Sequence, residues 1–181
     1  SLCHLRSNQR TNQRILWKSD PVESLMDPMI ETNKIEGVIV QQLKQIADDR
    51  GAVLHMLRGD SPLFEKFGEV YFSEINPSVI KAWKLHTKLT QNISVPVGKI
   101  RLVIYDNRPS SGTHGNIAEY KVGRHDNYCL IHIPPVLWYG FQSLDTQTSL
   151  IANCTNLAHD PSEAQSMPSN SDEIPYQWDS A

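Results

Sequence analysis

The feature that most constrains this chain is a succession of short strand-like segments cut by turn formers, running from about Ile35 to Cys154. Lys99–Tyr105 is the clearest. Ile100, Leu102 and Ile104 fall on one face and Lys99, Arg101 and Val103 on the other, the two-residue period of a strand with one buried face. Glu69–Ile75 alternates as well and stops at Asn76-Pro77. Residues 37–40, 52–57, 79–89, 128–133 and 148–154 read as further strands, and Asp48-Asp49-Arg50-Gly51 and 106–115 read as turns. About seven or eight short strands, spaced by roughly 10 to 20 residues, predict an all-β sandwich or closed barrel. A helix is expected only near 41–48 and around 161–165.

The chain of 181 residues is long enough for one domain with a substantial core. Residues 1–28 are rich in Asn, Gln, Arg and Ser without apolar periodicity and read as a flexible extension. A single domain is expected over 29–181. The segment after Asp160 is polar and Pro/Ser-rich, but Ile174, Tyr176 and Trp178 near its end are suited to packing back on the barrel.

A formal net charge of -3 gives no electrostatic case for nucleic acid or an anionic membrane. No apolar run of about 18 residues exists to span a bilayer as a helix. The first residues lack the apolar centre of a secretion signal. Cys3, Cys129 and Cys154 are odd in number and have no C-x-x-C spacing, against a disulfide framework or structural zinc. Together these features predict a cytoplasmic protein.

The stretch that can carry chemistry is Lys84-Leu85-His86-Thr87-Lys88. On a strand, Lys84, His86 and Lys88 share one face, and Trp83, Leu85, Thr87 and Leu89 the other. Flanking lysines disfavour the imidazolium, so His86 is expected to be neutral and able to act as a base. An ammonium beside it can stabilise an oxyanion. The same pattern also describes a plain solvated strand face.

Several segments, in order, resemble the dTDP-4-dehydrorhamnose 3,5-epimerases. Asp48-Asp49-Arg50-Gly51 is similar to their Asp-x-Arg-Gly turn. Ser73-Glu74-Ile75-Asn76 resembles the next strand, with its Asn. Lys84-Leu85-His86 is similar to the Gly-Leu-His that supplies the base, and Lys88-Leu89 to the Lys-Leu after it. Val97-Gly98-Lys99-Ile100 through Tyr105-Asp106, the turn from Ser110 to Gly115, and Ile133-Pro134-Pro135 through Tyr139-Gly140-Phe141 continue the register to about Trp178.

The resemblance implies a cupin-type double-stranded β-helix, or jelly roll. It implies an isomerase that removes a proton next to the keto group of a 4-keto-6-deoxy sugar nucleotide, in deoxysugar or polysaccharide biosynthesis. It further implies a homodimer formed by exchanging N-terminal strands, and no cofactor. His86 is then the base and Lys88 the oxyanion-binding lysine. The family's acid, a tyrosine, falls where this chain has Ala152, so Tyr139 is the candidate acid. Asp172 is the candidate partner of the base. Arg50, Asn76, Lys84 and Arg101 are candidates for holding the sugar nucleotide. Two alternatives stand beside this reading. One is a sugar-nucleotide-binding relative with little or no turnover. The other is a metal cupin, although His86-Thr87-Lys88 replaces the usual His-x-His pair and His55, His114, His125 and His132 lack ligand spacing.

Overall fold

The computed structural model describes residues 31, 32 and 34–179. The expected extension over 1–28 and its boundary lie outside them. The described chain is almost wholly β. Its strands are β1 Glu31–Thr32, β2 Ile39–Gln42, β3 Gln45–Asp48, β4 Gly51–Leu54, β5 Glu69–Ile75, β6 Ile80–His86, β7 Gln91–Val97, β8 Lys99–Tyr105, β9 Ile117–Gly123, β10 Cys129–Ile133, β11 Trp138–Ser143, β12 Ser149–Thr155 and β13 Ala164–Ser166. Pro161–Glu163 forms a single 3₁₀ turn.

Two antiparallel sheets face each other. One runs β1-β2-β10-β7-β12-β5 and the other β13-β6-β11-β8-β9, with β3 and β4 as a separate hairpin. This is the jelly-roll barrel of the cupin type, as expected. The barrel core lies between the sheets and includes Ile93, Val95, Ile100, Leu102, Ile104, Ile131 and Ile133. In β8 the alternation read from sequence holds: Ile100, Leu102 and Ile104 are fully buried in that core. Val103 instead joins a second cluster on the outer face with Trp83, Leu85, Trp138 and Ile174.

That outer cluster exists because the C-terminal segment folds back. Tyr176 and Trp178 pack on Trp83, with ring centroids 5.9 and 5.0 Å away. The main chains of Trp83 and Met167 exchange hydrogen bonds of 2.8 and 3.1 Å. β11 approaches β6 so closely that a Cβ on Gly140 would sit 2.4 Å from the Ala82 Cβ. Only glycine fits there. Gly98, alone between β7 and β8, turns the chain at φ 77°, a conformation that side chains disfavour.

Residues 41–48 are not helical. They finish β2 and form β3, which pairs with β4 so that Ile46 lies opposite Val53. The spacing of Leu43, Ile46 and Ala47 imitates a helical stripe, but strand pairing takes the backbone hydrogen bonds. Besides β3, which the expected helix covered, five strands do not show in the sequence pattern: β1, β7, β9, β11 and β13.

Leu102 has no exposed surface in the barrel core. Leu102→Ala is expected to cost about 2–5 kcal/mol of unfolding free energy, measured by chemical denaturation followed by tryptophan fluorescence.

Candidate active site

β6 carries the central residue at its end. His86 is 4 % exposed and flanked on one side by Glu163, itself 6 % exposed. The Glu163 side chain is placed by the turn before β13. Asp160 caps that turn by accepting from the Ser162 N–H, Pro161 follows at its first position, and β13 then pairs with β6 with Ala164 opposite His86. Glu163 Oε1 meets His86 Nδ1. Its Oε2 accepts from the main-chain N–H of Thr87 at 3.0 Å and of Lys88 at 3.1 Å. These bonds, chiefly the one from His86, hold the carboxyl below its usual range against the opposing effect of burial.

An ionised carboxylate only accepts, so Nδ1 of His86 carries the hydrogen. Nε2 then presents its lone pair to the cavity. Burial, more than any other effect, lowers the tendency of His86 to take a proton, and the positive charge of Lys84 adds to it; Glu163 opposes both. The imidazole is therefore neutral, in the tautomer that a base needs.

The Tyr139 hydroxyl lies 3.3 Å from His86 Nε2 and donates to it. Tyr139 is 5 % exposed. Burial keeps its phenol firmly protonated, while Gln91 contacts the same hydroxyl. Gln91 Oε1 in turn accepts from Asn153 Nδ2 at 2.9 Å, and that nitrogen also donates to the Tyr71 hydroxyl at 2.8 Å. A continuous polar chain thus runs from Glu163 through His86, Tyr139, Gln91 and Asn153 to Tyr71.

All of these but Glu163 line two cavities between the sheets that share lining residues. The larger, about 380 Å³, is lined by Tyr71, Gln91, Asn153, Lys84 and Tyr139 among others. The smaller, about 220 Å³, contains His86 and shares Tyr71 and Lys84 with the first. A groove beyond shares Ser73 and Lys81 with the larger cavity and reaches Asn76.

The candidates from the sequence divide accordingly. His86, Tyr139 and Lys84 come together. Lys88 does not: β6 ends at His86, the alternation stops there, and the Lys88 side chain is exposed while only its N–H reaches Glu163. Asp172 is exposed on the C-terminal segment, and the carboxylate on Nδ1 is Glu163 instead. Arg101 points to the outer face, where it pairs with Glu119 and Asp179. Arg50 sits on the exposed β3–β4 hairpin, bonded to Asp48, away from the cavity of its own chain. Asn76 lines the outer groove and accepts from Thr148 Oγ1 at 3.1 Å. Ala152 lies between two cavity-lining residues, Ile151 and Asn153, and does not line the cavity itself.

None of Glu163, Gln91, Asn153 and Tyr71 is a site candidate from the sequence. For Glu163 the available signal was Asp160-Pro161, a turn start that places a carboxylate three residues on. Tyr71 was visible as the inward member of the alternating β5. Among the described residues, no three His, Cys, Asp or Glu side chains group so as to hold a metal ion.

A jelly-roll barrel whose cavity holds a carboxylate-held neutral imidazole, a buried phenol, a half-buried one and a lysine belongs with the cupin-type isomerases that work by moving protons. Comparison with known proteins narrows the class. The family model for dTDP-4-dehydrorhamnose 3,5-epimerase matches residues 32–181, and the chain belongs to that family. It is 32 % identical over 146 residues to a spore coat polysaccharide biosynthesis protein of Bacillus subtilis, covering 80 % of this chain and 96 % of that one. It is 35 % identical over 134 residues to a probable low-salt glycan biosynthesis epimerase of Haloferax volcanii, covering 71 % and 85 %. A crystal structure of a dTDP sugar isomerase from Desulfovibrio desulfuricans superposes with a TM-score of 0.78 at 47 % identity, covering 80 % of this chain and 92 % of that one. The function is accordingly that of a dTDP-sugar 3,5-epimerase-like protein of deoxysugar or glycan biosynthesis. No helix among the described residues is long and apolar enough to cross a membrane.

The state of His86 has a direct test. Its imidazole is expected to titrate below the ordinary value of 6.5, followed by NMR of the ring carbons. Glu163→Gln removes the one neighbour that favours the proton, so the midpoint should move lower still. An unchanged midpoint in that variant would show that the carboxylate does not act on the ring.

Proposed function

We propose that this chain inverts a carbon next to the keto group of a dTDP-linked 4-keto-6-deoxy sugar. His86 Nε2 takes the proton. The observation that carries the proposal is the arrangement of His86: Nδ1 on a buried carboxylate, Nε2 facing a cavity, and a lysine beside it.

The steps follow from charge. Removing a carbon-bound proton leaves an enolate whose negative charge gathers on the keto oxygen. Lys84 lines both cavities and makes none of the ion pairs found among the described residues, so its ammonium is available to that oxygen. As His86 becomes cationic, Glu163 stabilises the imidazolium and keeps the ring from turning. The carboxylate is a positioning group and does not touch the sugar. Tyr139 holds Nε2 until substrate arrives and then yields it, keeping Gln91 as its partner. The groove past Lys81 and Asn76 is suited to the nucleotide end of the ligand.

We further propose a homodimer, in the cytoplasm. Ile46 and Val53, a cross-strand pair on the projecting hairpin, are 47 % and 60 % exposed, and Phe72 on the outer face of edge strand β5 is 63 % exposed. Apolar side chains at such positions suit a second copy, whose cavity Arg50 would then face. Buried thiols at Cys129 and Cys154 accord with a reducing compartment. Ile46→Glu combined with Val53→Glu should convert the dimer to monomer by light scattering, and a dimer that persists would remove the hairpin from the interface.

The catalytic reading predicts that the protein, incubated in D₂O with a dTDP-4-keto-6-deoxy sugar, places deuterium at the carbon next to the ketone. His86→Asn should abolish this. Lys84→Met should slow it by about 100-fold or more, and Lys88→Met by less than about threefold. Binding of dTDP without any exchange would leave a binding protein in place of an enzyme.

A further inference from the structure

The polar chain across the cavity ends on a tyrosine that no step above uses. Inversion needs two groups on opposite faces of the reacting carbon, one to take the proton and one to return it. Tyr139 does not meet that requirement. It stands on β11, beside β6 in the same sheet, with its hydroxyl against the very nitrogen that takes the proton. A proton it returned would come back from the side of the base.

Tyr71 stands on the other wall. β5 belongs to the facing sheet. Its alternation sends Tyr71, Ser73 and Ile75 inward while Val70 and Phe72 remain exposed. Tyr71 lines both cavities, and His86 lines the smaller of them with it. Tyr71 lies directly opposite Asn153 in the β5–β12 pairing. That asparagine donates to the phenol oxygen at 2.8 Å, the geometry that supports a phenolate once the proton has left. Asn153 is 3 % exposed, and its own carbonyl oxygen Oδ1 has no partner within the protein. A buried acceptor left open on a cavity wall suits a sugar hydroxyl.

Resting on the epimerase reading, we propose that Tyr71 is the proton donor that completes inversion, acting across the cavity from His86 in place of the tyrosine that β12 lacks. His86 Nε2 takes the proton from one face of the carbon, and the bonding pair moves into the enolate. The Tyr71 O–H then breaks toward the opposite face of the same carbon as the enolate electrons return to form the new C–H bond. Imidazolium and phenolate remain, and exchange of protons with water restores both. His159 is the competing donor: it lines the smaller cavity too, but it is exposed and sits on the loop after β12.

The experiment measures two quantities on one substrate, a dTDP-4-keto-6-deoxy sugar in D₂O. One is deuterium gained at the carbon next to the ketone, the other the inverted product. Tyr71→Phe keeps the ring and its packing, and circular dichroism checks that the fold is retained. This variant should lose about 100-fold or more of the inversion while keeping His86-dependent deuterium exchange, because the base can still remove and return a proton on its own face. His159→Gln should keep inversion measurable within about tenfold, whereas Tyr139→Phe, which removes a contact of the base itself, should lower exchange and inversion together. If Tyr71→Phe inverts as wild type does, or if inversion is lost in either of the other two variants and kept in Tyr71→Phe, the assignment is overturned and the epimerase reading stands. If wild type itself shows neither exchange nor inversion, the epimerase reading falls and the role of Tyr71 falls with it.

Discussion

The buried Glu163 carboxylate is the interaction on which the rest of the site depends. A charge at that depth is costly unless every strong acceptor direction is used. Here one oxygen takes the His86 ring N–H and the other takes two consecutive main-chain N–H groups at the end of β6. Those bonds are available only if the turn over Pro161–Glu163 lies directly on β6, which the β13–β6 pairing enforces. The outer packing of Ile174, Tyr176 and Trp178 on Trp83 holds the same segment from further along. Docking of the C-terminal segment and orientation of the imidazole are thus one structural event. A base that must stay neutral, in one tautomer, is fixed by a strand that arrives last in the chain.

The parts of the fold legible in the sequence are the strands with one buried and one exposed face. β5 and β8 have the bounds that their alternation predicts, because each separates a core side from an outer side. β7 escaped notice for the opposite reason. Its first five residues are all buried, and Gln91 and Asn92 sit among them, so neither alternation nor hydrophobicity marks it. Those polar residues are inside because they have partners there: Gln91 with Asn153, Asn92 with His132. β11 is interrupted by Gly140, which reads as a turn former but is required by the close approach of Ala82. In both strands the demands of the cavity override the local signal.

The site was legible to the same depth and failed at the same kind of place. His86 and Lys84 followed from the period of one strand. Extending that period to Lys88 assumed the strand continued, and it ends where Glu163 captures the next two N–H groups. Arg101 is a cation on a strand next to the cavity strand, yet its place in the β8 alternation already put it on the outer face. Glu163 is separated from His86 by 77 positions, and no local pattern connects them. By resemblance the carboxylate falls at Asp172, because the matching motif lies later in the chain, whereas the fold supplies the charge from an earlier turn.

One environment prepares the groups on both walls. Burial disfavours charge on His86 and on the phenols of Tyr71 and Tyr139 alike. For an imidazole this means staying unprotonated; for a phenol it means keeping its proton. In the proposed reaction the same burial therefore suits a base on one wall and a proton donor on the other without needing a separate device for each. The cost is that both groups become harder to charge during the reaction. Glu163 beside the ring and Asn153 beside the Tyr71 oxygen offset that cost, each at the atom where charge must appear. Loss of a tyrosine from β12 then need not end the chemistry, because the neighbouring strand presents a phenol to the same cavity and β12 retains the amide that holds it.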